Sequence, residues 1–266
     1  MKLSTPLKTS SMKKLILILF ASVCLPCFAQ STSMFMPEGS SDLTFGLNAF
    51  DAPSAEGSNK RRILVLPSVS VQWSNGVFLD NNELGMNFSP QGNVKFGPVF
   101  IPEFSTVRTQ QGANPPKDKL HFTPEVGAFY HYRLAHNIGL STNVMFGAGS
   151  EHNGILANLS ANFSTPLAAH HSIGLSTGLT LANQNYMQSQ FGLTQQQVSH
   201  SHNAPYTAAG GLKSVSVNGN WGWELSNKYS LSSGVGLKRL CGSAVDSPLI
   251  DKRNDVFAYS SLSYHY

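Results

Sequence analysis

The amino-acid sequence predicts an all-β protein, an antiparallel up-and-down transmembrane β-barrel. Seven segments alternate apolar with small polar residues at a period of two, a pattern typical of strands with one apolar and one polar face. After the N-terminal region, no segment is apolar enough to cross a bilayer as a helix. The polar face consists of Gly, Ser, Asn and Thr rather than charged residues, which favours a crowded, hydrated lumen over the surface of a soluble sandwich.

The predicted strands follow from this alternation. Residues 173–181 show it most clearly, with Ile173, Leu175, Leu179 and Leu181 on one face and Gly174, Ser176, Gly178 and Thr180 on the other. Tilted strands of about 9 to 11 residues span the hydrocarbon, so the chain has room for about twelve. We place them near residues 42–51, 62–73, 77–88, 94–104, 121–133, 137–148, 154–165, 171–182, 206–213, 214–225, 229–240 and 254–266.

Two places leave the strand count open between twelve and ten. The segment 77–88 contains a run of four polar residues, and the boundary between 206–213 and 214–225 is weakly marked. A further irregularity is Met145, an apolar residue on the predicted inner face of its strand. An even number of strands is expected in either case.

The N-terminal 29 residues have the layout of a secretory signal peptide. Lys13 and Lys14 precede an apolar run over residues 15–24, and Ala29 ends a small-x-small motif suited to cleavage. The apolar run is too short for a transmembrane helix. Met12 is an alternative start that leaves the mature protein unchanged. The predicted organisation is a signal peptide over residues 1–29, an N-terminal periplasmic segment over 30–41 and a transmembrane β-barrel over 42–266.

Charge and cysteine content narrow the possible functions. Four lysines precede the cleavage site and account for the net charge of +4, so the mature chain carries 14 basic and 14 acidic residues. A neutral chain of this kind is not typical of nucleic-acid binding. Cys241 is the one cysteine that remains after cleavage, which leaves no intrachain disulfide. We expect no nucleic-acid partner, and the sequence indicates no cofactor.

The connections predict an orientation in the outer membrane of a Gram-negative bacterium. Short turns occur at residues 74–76, 135–136 and 226–228, and long polar stretches run over 105–120, 183–205 and 241–253. In outer-membrane barrels, short turns are periplasmic and long loops are extracellular. Outer-membrane lipids would then surround the apolar face. The run of residues 194–197 predicts a flexible rather than a shaped loop.

Aromatic residues mark the last strand and the strand ends. Tyr259, Tyr264 and Tyr266 make the C-terminal strand resemble the signal that the barrel-assembly machinery is thought to read, although Ser261 stands where glycine is usual. Other aromatic residues fit the girdles that anchor a barrel at the two membrane surfaces. The girdle positions are Trp73, Tyr130, Tyr132, Trp221, Trp223, Tyr229, Tyr264 and Tyr266.

Five strings in chain order form a recognisable set. They lie at residues 53–58, 76–85, 185–193, 209–213 and 239–249, with marked positions at Glu56, Gly57, Ser58, Phe191, Gly192, Gly242, Asp246, Ser247 and Pro248. The last string, RLCGSAVDSPL, is the most specific. The set resembles the MltA-interacting protein (MipA/OmpV) family of outer-membrane proteins, and the resemblance extends over residues 45–266. Because the strings have turn chemistry, we interpret them as structural markers of the fold.

The resemblance implies a non-enzymatic scaffold that links a periplasmic lytic transglycosylase to a murein synthase, coupling cell-wall cleavage to synthesis. Short periplasmic turns offer little area for a standard interface, which needs roughly 800 Å² per partner. Two alternatives therefore stay open. The polar inner face favours a narrow channel for small solutes, and the loops at 105–120 and 183–205 favour a surface or adhesion protein that binds host or phage.

Two histidine groups are candidate metal or catalytic sites. His200 and His202 lie on one side of an extended segment, but no neighbouring Cys, Asp or Glu completes a metal shell. His170 and Ser172 are similar to the His-x-Ser pair of an outer-membrane phospholipase, in which serine is the nucleophile. Ser172 falls on the lumen side of its strand, whereas that enzyme's pair faces lipid. We therefore predict no metal site and no catalytic site.

Charged residues on the predicted inner face form the last candidate site. Glu125, His131 and Arg133 alternate inward on one strand, and Glu224 and Lys238 point inward on two others. They either fill the lumen with salt bridges or line a path that selects solutes.

Overall fold

The computed structural model is a closed antiparallel β-barrel of twelve strands. Each strand pairs with its neighbours in the sequence, and the last strand pairs with the first. The predicted fold class is thereby confirmed. The structure describes residues 40–89, 92–106, 120–148, 153–195 and 204–266, and describes only the backbone of 103–106 and 120–123. The predicted signal peptide lies outside these ranges.

Ten of the strands are long and two are short. The long strands have 11 to 16 residues, and the short ones have four each. In chain order, the elements are β1 (Ser41–Pro53), β2 (Arg61–Trp73), β3 (Val77–Asp80), β4 (Glu83–Met86), β5 (Val94–Thr106), β6 (Leu120–Ala135), β7 (Ile138–Ala148), β8 (Gly154–Ala168), β9 (His171–Ala182), α1 (Gln184–Phe191), β10 (Gly211–Glu224), β11 (Tyr229–Leu240) and β12 (Asn254–His265).

The two faces of the wall differ as the alternation predicts. In the β9–β10 ladder, Leu175 lies opposite Gly219 and, one step along, Ser176 lies opposite Asn218. Leu175 is 49% exposed on the outer face, whereas Asn218 is 6% exposed inside the barrel. Cross-strand partners share a face. Small polar residues of neighbouring strands therefore meet in the lumen, while leucine and valine cover an outside that is suited to contact with lipid.

The prediction of one strand over residues 77–88 is wrong. The segment forms two strands, β3 and β4, joined by a tight turn at Asn81 and Asn82. Asn81 has a left-handed φ of 55°, which asparagine tolerates better than most residues. Asp80 and Glu83 face each other across the turn. The polar run is therefore a turn within the wall and not the middle of a strand.

The predicted boundary between strands 206–213 and 214–225 is also wrong. A single strand, β10, covers residues from both segments, and its register with β9 shifts around Lys213, the extra residue of a β-bulge. The bulge turns Lys213 and Ser214 both inward, each 2% exposed. The alternation of inward and outward residues shifts by one at this bulge, and the sequence pattern shows that shift as a strand boundary. One strand lost here offsets the one gained at 77–88, so the predicted number of twelve is confirmed.

The first part of the loop over 183–205 has a defined structure, although the sequence predicted a flexible loop. It forms α1, which begins after Asn183. The side-chain oxygen of Asn183 accepts a hydrogen bond from the backbone N–H of Tyr186 at 2.9 Å. Met187 and Phe191 on this helix are 0% and 1% exposed. Within the described residues, no helix has the length and apolarity needed to cross a membrane. Residues 107–119 and 196–203 of the two long loops lie outside the described ranges.

A charge on the outer face should destabilise the barrel far more than the same charge on the inner face. We expect Leu175→Arg to cost about 2–4 kcal/mol in a bilayer, because it places an arginine in hydrocarbon. The neighbouring Ser176→Arg, which extends into the lumen, should cost less than Leu175→Arg, because its charge stays out of the hydrocarbon. Guanidinium unfolding of the vesicle-reconstituted protein measures both, and equal costs would contradict the assignment of faces.

Candidate functional site

One end of the barrel carries a compact assembly of loops, here called the cap. It consists of the β1–β2 loop (54–60), α1 and the β11–β12 loop (241–253), and it packs at the long-loop end of the barrel. Its apolar centre is buried, with no member more than 7% exposed. The members are Ala148, Ala182, Tyr186, Met187, Phe191, Ala208, Leu240 and Ala244.

A buried ion-pair network joins the β1–β2 loop to the barrel wall. Glu56 Oε1 accepts hydrogen bonds from Lys213 Nζ at 3.1 Å and from Lys238 Nζ at 3.0 Å. The side chains of Glu56, Lys213 and Lys238 are 18%, 3% and 16% exposed. Lys213 Nζ also donates to the Tyr186 hydroxyl of α1 at 3.4 Å and lies 5.1 Å from the centroid of its ring. One carboxylate therefore ties together a loop, two strands and the helix.

The charges of this network keep Glu56 ionised. Burial alone would raise the pKa of the Glu56 carboxyl, but the neighbouring ammonium groups of Lys213 and Lys238, which also donate hydrogen bonds to it, lower that pKa from 4.5 to about 2. Because the folded-state pKa is lower than the unfolded one, the ionised carboxylate stabilises the folded state. This contribution is fully present above about pH 4.5 and is lost as the pH falls towards 2.

Gly57 fixes the path of the loop beside Glu56. Its N–H donates to Asp255 Oδ2 at 2.8 Å, and its carbonyl accepts from the N–H groups of Asp251 and Lys252 at 2.9 and 3.0 Å. Its φ is +72°, and a Cβ at this position would lie 2.6 Å from the Ile250 side chain. Glycine alone satisfies both the backbone angle and the close approach. The β1–β2 and β11–β12 loops are thus joined by backbone contacts.

The other motif residues hold the C-terminal end of α1. Ser247 is 4% exposed, and its hydroxyl donates to the Phe191 carbonyl at 2.6 Å. The Gly192 N–H donates to the Gln188 carbonyl at 3.0 Å, and Gly242, with φ of +53°, opens a short 3-10 turn. The same two loops contain the remaining motif residues Ser58, Asp246 and Pro248. Residues that lie far apart in the sequence therefore converge in one structural assembly.

Sequence reasoning assigned no role to two residues of the network, Lys213 and Tyr186, although both lie in the strings at 209–213 and 185–193. Lys213 faces inward only because of the bulge in β10, and a period of two read from the sequence does not show a bulge. Tyr186 belongs to a helix of eight residues with little amphipathic pattern. The available signals were the place of both residues in these strings and the presence of Lys213 as a single charged residue among small and apolar neighbours.

An apolar cluster fills the lumen on one side, beneath the cap. Val99, Phe129 and Met145 are 4%, 7% and 1% exposed, and Phe78 meets Phe129 edge to face at 5.5 Å between ring centroids. The inward position of Met145, irregular in the sequence, is explained by this packing. Leu156 packs against both this cluster and the apolar centre of the cap. The cap therefore rests on a continuous apolar layer inside the barrel.

The part of the lumen wall next to this cluster, along β7, β8 and β9, is polar and hydrogen-bonded. Thr180 Oγ1 donates to Asn158 Oδ1 at 2.8 Å, and Asn158 Nδ2 donates to Asn143 Oδ1 at 2.8 Å. Asn162 Nδ2 donates to the Ser141 hydroxyl at 3.1 Å. These chains link β7, β8 and β9 across the inner face. The residues are those that a hydrated lumen accommodates.

The five charged residues predicted to share the inner face do not form one site. Glu125 is 7% exposed beside the apolar cluster, while His131 lies opposite Lys95 and Arg133 is exposed at the short-turn end. Glu224 is also at the short-turn end, with its Oε2 3.7 Å from His170 Nδ1. Lys238 alone reaches the cap network.

The two residues of the candidate His-x-Ser pair lie in a turn and on the lumen face. His170 occupies the β8–β9 turn with φ of 65°, and Ser172 lies on the lumen face opposite Gly222. His200 and His202 lie outside the described residues. In the described part of the chain, no three His, Cys, Asp or Glu side chains are grouped so that they could hold a metal ion.

The tyrosines of the C-terminal strand divide between the two faces. Tyr264 packs against Tyr229, with ring centroids 5.1 Å apart, and Tyr266 is 85% exposed. Tyr259 is 9% exposed and lies opposite Phe50 of β1 inside the barrel. Two of the three tyrosines are therefore available at the outer, short-turn rim.

A closed barrel with an apolar outside, a polar inner wall and one end capped by its own loops defines an outer-membrane-type β-barrel protein. The family model described as MltA-interacting protein MipA matches residues 45–266, and the chain belongs to this family. The resemblance carried by the five strings is thereby confirmed. No curated protein matches the chain significantly.

Several solved outer-membrane channels have a similar fold. An outer membrane channel from Pseudomonas putida F1 is 12% identical over 87% of this chain and 97% of that chain, with a TM-score of 0.43. The outer membrane channel DcaP of Acinetobacter baumannii is 7% identical over 85% and 96%, with a TM-score of 0.41. The NanC porin is 8% identical over 83% and 98%, with a TM-score of 0.46. At these identities the likeness concerns the fold alone.

Removing the central carboxylate should release the β1–β2 loop from the cap. Glu56→Gln leaves two buried ammonium groups without their counter-ion, a change that costs about 3–5 kcal/mol at buried pairs. We expect faster trypsin cleavage beside Lys60 and a lower unfolding midpoint. The control is Asp51→Asn, which breaks an exposed 2.9 Å pair with Arg61 at the same end and leaves the trypsin sites unchanged. That pair should contribute less than about 1 kcal/mol, and equal effects of the two variants would contradict the role of Glu56.

The cap should tolerate mild acid. Because the pKa of Glu56 is about 2, the network stays intact from pH 7 to about 4 and weakens only as the pH falls towards 2. Amide hydrogen exchange of residues 54–60, corrected for the intrinsic effect of pH, measures this. A loosening step near pH 4.5 that is missing in Glu56→Gln would show that Glu56 titrates as an ordinary glutamate.

Proposed function

We propose that the protein is a non-enzymatic outer-membrane barrel of a Gram-negative bacterium that anchors cell-wall enzymes at its periplasmic, short-turn end. The observation that carries this proposal is the cap at the opposite end. Glu56 is held by two lysines, and Met187 and Phe191 are almost fully buried at the barrel mouth. Loops fixed by such buried contacts suit a rigid anchor better than a wide pore, whose mouth would be hydrated.

The partner class follows from the family. The family's description names an interaction with MltA, which supports a lytic transglycosylase as the first partner. A murein synthase is the second partner that the resemblance implies. The short-turn rim offers polar groups for such contacts. Arg133, His136 and Lys228 are exposed there, together with Glu224. Each turn is small, so an interface of roughly 800 Å² would need several turns together.

A narrow channel for small solutes is the second candidate. The observation in its favour is the polar wall on β7, β8 and β9, where Asn143, Asn158 and Thr180 form a chain of hydrogen bonds along the inner face. Such groups can replace water around a passing solute. The apolar cluster around Met145 reduces the free lumen beside this wall.

A surface protein that binds host or phage through its long loops has less support. Eight of the 23 residues over 183–205 form α1, and the buried face of α1 packs into the cap. That face is unavailable to a partner while the cap is intact.

Co-purification tests the anchor. We expect the protein in detergent extracts to retain a lytic transglycosylase, and the paired variant His136→Glu with Lys228→Glu to bind it about tenfold more weakly, equivalent to about 1.4 kcal/mol. The matched control is Lys60→Glu, a charge reversal at the long-loop end that should bind normally.

Conductance in planar bilayers separates the two candidates. A folded, electrically silent wild type that retains the transglycosylase supports the anchor. Steady ohmic steps without transglycosylase recovery would overturn it in favour of the channel.

A further inference from the structure

The barrel wall is interrupted above the β3–β4 turn. β3 pairs with β2 over Ser70–Gln72, and the last bond on this side runs from the Asn81 N–H to the Val69 carbonyl at 2.8 Å. β4 pairs with β5 only at Leu84 and Gly85. Among the described residues, the remaining part of β2 and the upper part of β5 form no ladder with each other. We call the space between Arg61–Ser68 and Pro102 the notch.

Prolines limit the ladders that border the notch. The N–H and C=O of one strand residue point to the same side and alternate along the strand. Because the Val69 carbonyl faces β3, Pro67 faces the notch as well and brings no N–H to it. On β5, the Pro102 carbonyl accepts from Asn82 Nδ2 at 2.9 Å, so Pro98 and Pro102 both face β4. The interruption is therefore encoded in the sequence, and edge prolines also oppose the addition of a strand from another protein.

The depth of the notch places it beside lipid. The β3–β4 turn stands about four residues above the Trp73 end of β2, or roughly 10 Å for a tilted strand. The hydrocarbon is about 25–30 Å thick, so the notch faces its outer half. Irregular backbone at this depth is tolerated only where it is buried in protein or lines a water-filled cavity. A notch that opens into the lumen meets this condition, because the lumen lies directly behind the strands that border it.

The inner face is apolar on both sides of the notch. On the β2 side, Leu64 and Leu66 face inward, and Phe50 of β1 lies opposite Leu64. On the β5 side, Val99 and Ile101 belong to the apolar cluster. These large side chains contrast with the small polar residues that line the inner face of β9 and β10. The lumen beside the notch is thus suited to an apolar occupant.

We propose that the notch is a lateral opening through which an uncharged apolar small molecule exchanges between the lumen and the outer leaflet. The pathway runs between Leu66 on one side and Ile101 on the other. Its lower edge is the polar β3–β4 turn with Asp80 and Glu83, whose acidic groups favour an uncharged molecule over an anionic one. This activity is independent of any periplasmic partner.

Thiol labelling tests whether lipid reaches the lumen at the notch. In a Cys241→Ser background reconstituted in vesicles, Leu66→Cys places a thiol on the inner face beside the notch. Ser70→Cys places one on the same face of the same strand, but behind the closed wall formed with β3. A membrane-dissolved pyrene maleimide should react about tenfold faster at position 66 than at position 70, because an apolar reagent concentrates in hydrocarbon. Equal rates would overturn the proposal.

Closing the notch provides the second test. A variant with Pro67→Val, Pro102→Val and a β3–β4 hairpin lengthened by four residues on each strand restores the missing wall. In barrels that keep heat-modifiable mobility, labelling at position 66 should fall to the rate at position 70, and an unchanged rate would overturn the opening. A photoreactive benzophenone hydrocarbon should crosslink Leu66 or Ile101 in the wild type. Crosslinks confined to outer-face residues such as Ile63 would overturn the apolar occupant.

Discussion

Backbone hydrogen bonding in hydrocarbon is the constraint on which the rest of this structure depends. An exposed sheet edge inside a bilayer costs several kcal/mol for each unsatisfied group, so the sheet must close. The chain closes it by pairing Thr44–Asp51 of β1 with β12. Closure creates the two faces, an outside that must be apolar and an inside whose polar groups must satisfy one another. The short β3–β4 hairpin is the place where the described wall departs from this rule, and prolines mark it.

The cap follows from the need to neutralise charge inside a closed wall. Lys213 and Lys238 point inward near the barrel mouth, and two buried ammonium groups without a counter-ion would be costly. Glu56 supplies the counter-ion, but only if the β1–β2 loop bends into the mouth, which the left-handed angle of Gly57 permits. The loop then packs on the β11–β12 loop, which in turn binds α1 through Ser247. The three loops are therefore coupled through one carboxylate.

The parts of the fold that the sequence predicts are those governed by a local rule. Alternation at a period of two predicted the barrel, its faces and nine of the ten long strands with small errors at their ends. It failed at Lys213, where a bulge shifts the phase, and at Asn81, where a turn interrupts the wall. Both are irregularities in pairing with a neighbouring strand, which one sequence does not specify. The motif residues could be recognised as turn formers, but their convergence depends on contacts between loops far apart in the chain.

The inner face is asymmetric, and this asymmetry bears on the choice between functions. The capped side, from β7 to β11, combines buried ion pairs, packed apolar side chains and a hydrogen-bonded polar wall, so the lysines of the network and the asparagines of that wall already have partners inside the protein. On the opposite side, the wall is interrupted by the notch above β3 and β4, and apolar residues line the inner face beside it. A rigid body fixed at one end and along one side can present a constant short-turn rim to a partner. Partner binding at the short-turn rim and the proposed exchange of apolar molecules through the notch use different residues, so one protein can combine the two functions.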